Sequence, residues 1–480
     1  MSQTGDEPFE LREACGVIGM YAPGRAVSYS IYDGLFALQH RGQESAGMAV
    51  SDGRFVEVTK DMGLVSNVFN KFSLAALQGH LGIGHTRYST TGSSEWHNAQ
   101  PIYRTVGDAG FALGHNGNLS NTISLTRDAG MLPGTVSSDS DLMGELIARA
   151  FPIEESADGR DLERAMEQVL PTLQGAFSLV VMDASHVVGV RDPNGFRPLC
   201  LGKIDGGWVV ASESPALDIV GAHFVREIDP GEMVIIDASG LRSLHPFPED
   251  RIDPKLCMVE LVYFSRPDAQ LYGKEVHGAR RRMGELLAEQ APVDADMVMG
   301  VPESSLPAAE GYARRSGIPY GQGLVKNRYI GRTFIAPDQA ARDAGVRRKF
   351  NPLKDNVAGK RLIVVEDSIV RGTTHKAVVR MLREAGAAEI HLRVTLPPWK
   401  WPCFYGIDTG TKAELIAANM TVDEIRDYLG ADSLAYLQLD RLIEAIDAPG
   451  AGFCTACLTG EYPVAPDAEL SKGVLEASRA

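Results

Sequence analysis

Between residues 15 and 250 the apolar positions fall in short runs cut by glycine: "GVIGMY", "AGMAV", "LGIGHTRY", "FALGHNG", "FSLVVMD" and "GEMVIID". Runs of this length, with turn residues close between them, predict short strands in stacked antiparallel sheets. Helical periodicity appears only locally, as in "DLMGELIARAF", which predicts a helix covering a sheet. The stretch "HPFPEDRIDPKL" has three prolines and little apolar pattern, and reads as an interdomain connection. Beyond it the rhythm changes. "DMVMGVPESSLPAAEGYARRSG" and "RLIVVEDSIVRGTTHKAVVRMLREAG" each read as a buried strand, a polar loop and an amphipathic helix ending at glycine. That alternation predicts an α/β unit with a parallel sheet, whose ligands sit beyond the carboxyl ends of the strands.

A chain of 480 residues exceeds one hydrophobic core, so two domains are expected. No apolar run approaches the ~18 residues of a membrane span. The leader "MSQTGDEPFELREA" has neither the basic nor the apolar region of a secretory signal, so a cytoplasmic protein is expected. A net charge of −15 argues against general nucleic-acid binding. Six cysteines, at 15, 200, 257, 403, 454 and 457, are too few for a disulfide framework in so long a chain.

The second half carries the sharper loop. Glu366 and Asp367 end a buried strand, and Ser368, Arg371, Gly372, Thr373 and Thr374 lead into a helix whose N-terminal end can hold a phosphate. The two carboxylates suit ribose hydroxyls or a Mg²⁺ bridging to diphosphate oxygens. From Lys326 to Arg361 an acidic protein carries ten Lys/Arg against three Asp, a basic segment between two phosphate-type loops. "VVEDSIVRGTT" resembles the phosphoribosyl-diphosphate signature of the type I phosphoribosyltransferases, and "VPESSLPAAEGYA" resembles their diphosphate loop. The resemblance implies that Ser304 joins Glu366 and Asp367 at the metal, with glutamate at 366 where aspartate is more usual. Lys326, Arg328, Tyr329 and Arg332 of "KNRYIGRTF" would close over the diphosphate.

In the first half the question is Cys15. It could be an ordinary buried thiol near a terminus. If the leader is temporary, Cys15 becomes N-terminal, and its own α-amine (pKa ~8) can take the thiol proton without a histidine. His85 and His115, the histidines nearest the conspicuous motifs, also read as strand ends. Asn116 with the Gly117 N–H can form an oxyanion hole, Arg87 can hold an α-carboxylate and Asp139 an α-ammonium, which together describe a glutamine pocket.

"CGVIG", "LQHRGQESAG", "GIGHTRYSTTG", "NAQPI", "HNGNLSN", "SSDSD" and "RDPNGFRPLCLG" resemble the N-terminal-nucleophile glutamine amidotransferases. With the second half, the chain from Cys15 to about 465 resembles the glutamine phosphoribosylpyrophosphate amidotransferases. The resemblance implies a propeptide (1–14), an αββα sandwich of the N-terminal-nucleophile hydrolases (15–250), a type I phosphoribosyltransferase α/β domain (257–465) and a tail (466–480). It implies Cys15 as nucleophile, Arg87, Thr90 and Asp139 as glutamine ligands, and Arg41 as support for the closed glutamine site. It further implies ammonia transfer to 5-phosphoribosyl 1-diphosphate in the first committed step of purine synthesis, inhibition by purine nucleotides, and a homotetramer or dimer.

Cys454 and Cys457 form a CxxC, and with Cys257 and Cys403 they make four thiolates that could hold zinc or a 4Fe-4S cluster. Spacing leaves both open; the resemblance, whose propeptide-bearing branch has cluster ligands in these contexts, favours 4Fe-4S. Cys200 reads as a buried small apolar residue. Two rival readings are another glutamine amidotransferase, such as one feeding a sugar-phosphate isomerase, and a regulator that binds phosphoribosyl diphosphate without chemistry.

Overall fold

The computed structural model describes residues 15–475 except Thr90, Asp108, Pro133, 153–155, Ala157, 328–348, Gly410, 449–451, Glu469 and 471–473. The leader, Thr90, Arg328, Tyr329 and Arg332 therefore lie outside the described residues.

The glycine-cut runs form two antiparallel sheets. In the seven-stranded sheet, Gly16–Tyr21 lies between Gly207–Ala211 and Leu81–Arg87. In the six-stranded sheet, Gly175–Met182 lies between Val187–Arg191 and Ala109–Leu119. Successive residues of a strand face opposite layers, and the burial follows that rule. Val17 packs with Ile83, Val180 and Val234 between the sheets. Its neighbour Ile18 packs outward against Ile31 and Leu35 of the Ser28–Ala37 helix. On the far side, Phe111 and Leu179 pack against Leu142 and Ile147 of the Asp139–Ala150 helix and Met166 of Asp161–Val169. The result is four layers, αββα.

The second domain is a parallel sheet in the order Met297–Gly300, Arg361–Glu366, Glu389–Val394, Ser433–Tyr436. Along the Arg361–Glu366 strand, Ile363 and Val365 face the Val276–Gln290 and Leu306–Ser316 helices. Leu362 and Val364 face the Thr373–Glu384 helix on the other side. A small antiparallel pair, Leu324–Lys326 with Phe350–Pro352, brackets the basic segment. No helix of the described residues is long and apolar enough to cross a membrane.

The connection predicted over 245–256 is not a free tether. Asp253 N–H donates to Pro193 O (3.2 Å), Lys255 N–H to Asn194 O (2.6 Å) and Cys257 N–H to Phe196 O (3.1 Å). Leu256–Cys257 then pairs in parallel with Phe453–Cys454. Past that pair the chain returns to the first domain. The Asp467 carboxylate accepts from Ile123 N–H (3.0 Å) and Ser124 N–H (3.1 Å), and Leu475 enters the core beneath the six-stranded sheet.

Candidate active site

Cys15 immediately precedes the Gly16–Tyr21 strand, whose neighbour runs from Leu81 to Arg87. The pairing sets the thiol beside Arg87 and Tyr88, where Cys15 Sγ–H donates to Tyr88 O (3.4 Å). Burial pushes this thiol up to about 11. It is protonated at neutral pH and needs a base. One polar cleft is lined by Cys15, Arg87, Tyr88, Thr91, Gln100, His115, Gly117, Ser138, Asp139 and Ser140. It thus unites the nucleophile, the cation and the acid of the expected glutamine pocket.

Each wall is set by local structure. Asp139 opens the Asp139–Ala150 helix behind the Ser138 N-cap, and its carboxylate accepts from Ser140 N–H (2.8 Å) and Leu119 N–H (3.1 Å). Arg87 reaches across to Ser93 O and Thr91 O (both 3.1 Å). Gly117 has φ 145°, and a Cβ there would stand 2.1 Å from Ala176 O, so only glycine fits. Both polar atoms of the Asn116 amide are buried without a hydrogen-bond partner among the described residues. Buried amides are normally paired, and an unspent one beside a glycine turn matches a donor awaiting an oxyanion.

Burial lowers His85 to about 3 and also lowers His115. His115 Nε2–H donates to Ala176 O (3.3 Å), which leaves Nδ1 to accept from Ser140 Oγ (3.1 Å). Gln100 completes the wall, accepting from His115 N–H (2.7 Å) and donating to Ser140 Oγ (3.0 Å). Gln100 lies in the quoted "NAQPI" run, but its residue type alone carries no sign of this role.

Arg41, expected to support the closed glutamine site, lies outside the cleft lining, its guanidinium fully buried between the domains. There it pairs with Glu213, with Glu260 (2.6 Å) and with Ser265 Oγ (3.3 Å). Arg197 reaches the same Glu260 at 3.0 Å and donates to Tyr405 O at 2.7 Å. Burial works against the Glu213 charge, yet Arg41 and His40 hold its carboxyl well below the usual range. Any support that Arg41 lends the cleft is therefore indirect. Glu44, three residues on, accepts from Ser89 N–H (3.0 Å) and donates its own N–H to Arg87 O (3.1 Å). A loop of the second domain also touches the cleft's back wall. Phe404 O accepts from Asn118 Nδ2 (3.4 Å), and a Cβ on Gly406 would stand 3.1 Å from Gly117 Cα.

At the carboxyl edge of the parallel sheet each acid is held by hydroxyls. Asp367 accepts from Ser304 Oγ (2.5 Å) and Ser368 Oγ (2.6 Å), and Glu366 accepts from Ser305 Oγ (2.9 Å). Burial and the neighbouring Glu366 charge raise the Asp367 carboxyl. Gly372 caps the Thr373–Glu384 helix, so Thr373 and Thr374 occupy its first turn, where backbone N–H groups lack intrahelical partners. Arg371 pairs with Glu414 (2.7 Å) and Lys326 with Glu303 (3.3 Å). Three neighbours were not singled out from sequence: Ser305, His375, and Lys349, which burial lowers to about 8 beside the two acids. Two carboxylates with hydroxyl neighbours are a hard oxygen set of the kind Mg²⁺ shares with substrate phosphates. Among the described residues no group of three or more His, Cys, Asp or Glu is placed to hold a metal ion by itself.

The four cysteines gather at the domain junction. Cys257 stands opposite Cys454 in the parallel pair, Cys457 follows in the Ala456–Thr459 helix, and Cys403 packs against both cores that contain them. Each thiol acts electrostatically on the other three. All are free thiols raised by burial, an environment that favours neutral sulfur unless a cation is present. Cys200 is buried, its Sγ–H donating to Ala211 O (3.2 Å), apart from this group.

Residues 85–218 match the glutamine amidotransferase domain family, and residues 273–400 match the phosphoribosyl transferase domain family. Amidophosphoribosyltransferase of Mycobacterium tuberculosis is 53% identical over 98% of this chain and 92% of its own length. The Bacillus subtilis enzyme of that name is 44% identical over 94% of each chain. The solved glutamine phosphoribosylpyrophosphate amidotransferase of B. subtilis, complexed with ADP and GMP, superposes with a TM-score of 0.87 at 42% identity, covering 96% of this chain and 100% of that one. With its four-layer glutamine domain joined to a parallel phosphoribosyltransferase sheet, the chain belongs to the amidophosphoribosyltransferase family.

Proposed function

We propose that the protein moves the amide nitrogen of glutamine to C1 of 5-phosphoribosyl 1-diphosphate, giving 5-phosphoribosylamine, diphosphate and glutamate. The observation that carries the reading is the presence, in one chain, of the Cys15–Arg87–Asp139 cleft and the Ser304–Glu366–Asp367 edge. Removal of residues 1–14 frees the Cys15 α-amine, which takes the thiol proton as Sγ attacks the side-chain amide carbon. The proton passes to the departing ammonia, and water then releases glutamate from the thioester. Asn116 Nδ2 and Gly117 N–H stabilise the oxyanion. Ammonia crosses inside the protein, away from water that would protonate it, and displaces diphosphate. The Thr373–Glu384 helix N-terminus holds phosphate oxygens while Lys326, Arg328, Tyr329 and Arg332 close over the diphosphate.

Mg²⁺, held by Asp367 and Glu366 with Ser304 beside them, would neutralise diphosphate charge. Cys257, Cys403, Cys454 and Cys457 would ligate a 4Fe-4S cluster that ties the connection, the 403–407 loop and the C-terminal segment together. The same reading carries inhibition by purine nucleotides, a place at the committed step of purine synthesis, a cytoplasmic location and assembly as a homo-oligomer. The test is Cys15→Ala: glutamine-dependent synthesis should vanish while ammonia-dependent synthesis stays near the parent rate. Retention of glutamine use would overturn the reading.

A further inference from the structure

The signature at the phosphoribosyl site departs from its usual form at Glu366, where the side chain is one methylene longer than aspartate. A longer carboxylate has an additional rotatable bond, and its head needs more restraint to occupy one position. Its two oxygens have different partners. Oε1 accepts from Ser305 Oγ (2.9 Å) and Asp367 N–H (3.1 Å), whereas Oε2 lies 3.3 Å from His375 Nε2. His375 is the third residue of the Thr373–Glu384 helix, in the turn beside the phosphate loop, and its side chain is only 15% exposed. Its Nδ1 is buried with no hydrogen-bond partner among the described residues. Glu366 is thus the polar contact of a largely enclosed imidazole at this place.

We propose that His375 is a positioning residue for the phosphoribosyl site: it grips Glu366 Oε2 and sets the longer carboxylate where a shorter one would stand unaided. The inference rests on the functional reading above. Glu366 and His375 then form a matched pair, and the two positions are coupled.

The experiment uses full-length, processed enzyme with four variants: His375→Ser, His375→Gln, Glu366→Asp, and Glu366→Asp combined with His375→Ser. Calorimetry with phosphoribosyl diphosphate and Mg²⁺ gives Kd, and ammonia-dependent synthesis gives KM and kcat separately. His375→Ser should weaken binding roughly tenfold, the scale of a lost partner to a metal-site carboxylate, whereas Glu366→Asp, whose shorter carboxylate needs no grip, should weaken it by less than about threefold. KM should rise with Kd while kcat changes less. His375→Gln, which keeps an N–H donor, should restore most of the affinity. The double variant should bind within about threefold of the parent, because the shorter carboxylate needs no grip; coupled neighbours are non-additive in this way. A double variant as weak as the product of the two singles, or a silent His375→Ser, would overturn the pairing. A parent enzyme that forms no phosphoribosylamine from ammonia would instead overturn the functional reading.

Discussion

Cys15 and Asn116 carry opposite kinds of tension. The thiol is pushed up to about 11 by burial, and the amide is buried with no hydrogen-bond partner among the described residues. A reacting glutamine and a proton acceptor would relieve both. Glutamine-dependent activity should therefore rise with pH through the range of a free α-amine, about 8, with no second rise near the thiol's own value. A pH–rate profile of processed enzyme checks this. Asn116→Ala should lower glutamine-dependent kcat by roughly 10²–10³, the cost of one oxyanion donor. Ammonia-dependent synthesis should be unchanged in the same assay. That Cys15, Arg87, Asp139 and the glycine turn share one cleft was legible because the chemistry proposed for it asks for those residue types. Gln100 and Ser140 were not, since they act by holding His115 and one another, and any polar residue of the right shape could be imagined there. The buried pairing of Arg41 was hidden for a related reason. Its partners Glu213 and Glu260 lie 172 and 219 residues away, and no local pattern announces an ion pair over that span.

Elements show the same division. Strands cut by glycine and the two strand–loop–helix units were legible because burial on one or both faces imposes a period on the sequence. The behaviour of the connection was not, since its anchoring depends on carbonyls at 193–196 that exist only once the first domain has folded. The short parallel pair joining Leu256–Cys257 to Phe453–Cys454 is too small to hold without its surroundings. If a cluster is bound there, thiolate ligation adds to the folding free energy. Replacing Cys257, Cys403, Cys454 or Cys457 singly with serine should give insoluble or unprocessed protein. Iron analysis of anaerobically purified parent should find about four iron atoms per chain. Colourless protein with one zinc would select the mononuclear site.

For the whole molecule, the buried charges between the domains contribute to the response to acid. Glu213 has a folded-state pKa below its unfolded value, so its contribution is complete above about 4.3 and is lost as pH falls below that. Urea midpoints should therefore drop between pH 5 and 3 by more than in an Arg41→Met, Glu213→Gln variant, which has no such charge to protect. Arg41→Ala alone leaves Glu213 without its guanidinium partner and should cost about 3–5 kcal/mol, measured by the same unfolding experiment. The contact between Gly406 and Gly117 sets a limit on how the two halves can be recombined. The Gly117 turn at the cleft's back wall packs against backbone from almost 290 residues downstream, at a glycine with φ 100° where a Cβ would crowd it. A gene cut at the connection would yield a first product whose oxyanion turn faces solvent. Swapping in another glutamine domain would need a surface that fits a bare peptide at van der Waals distance. Its history of descent is therefore expected to be that of one indivisible gene, with both halves showing the same tree.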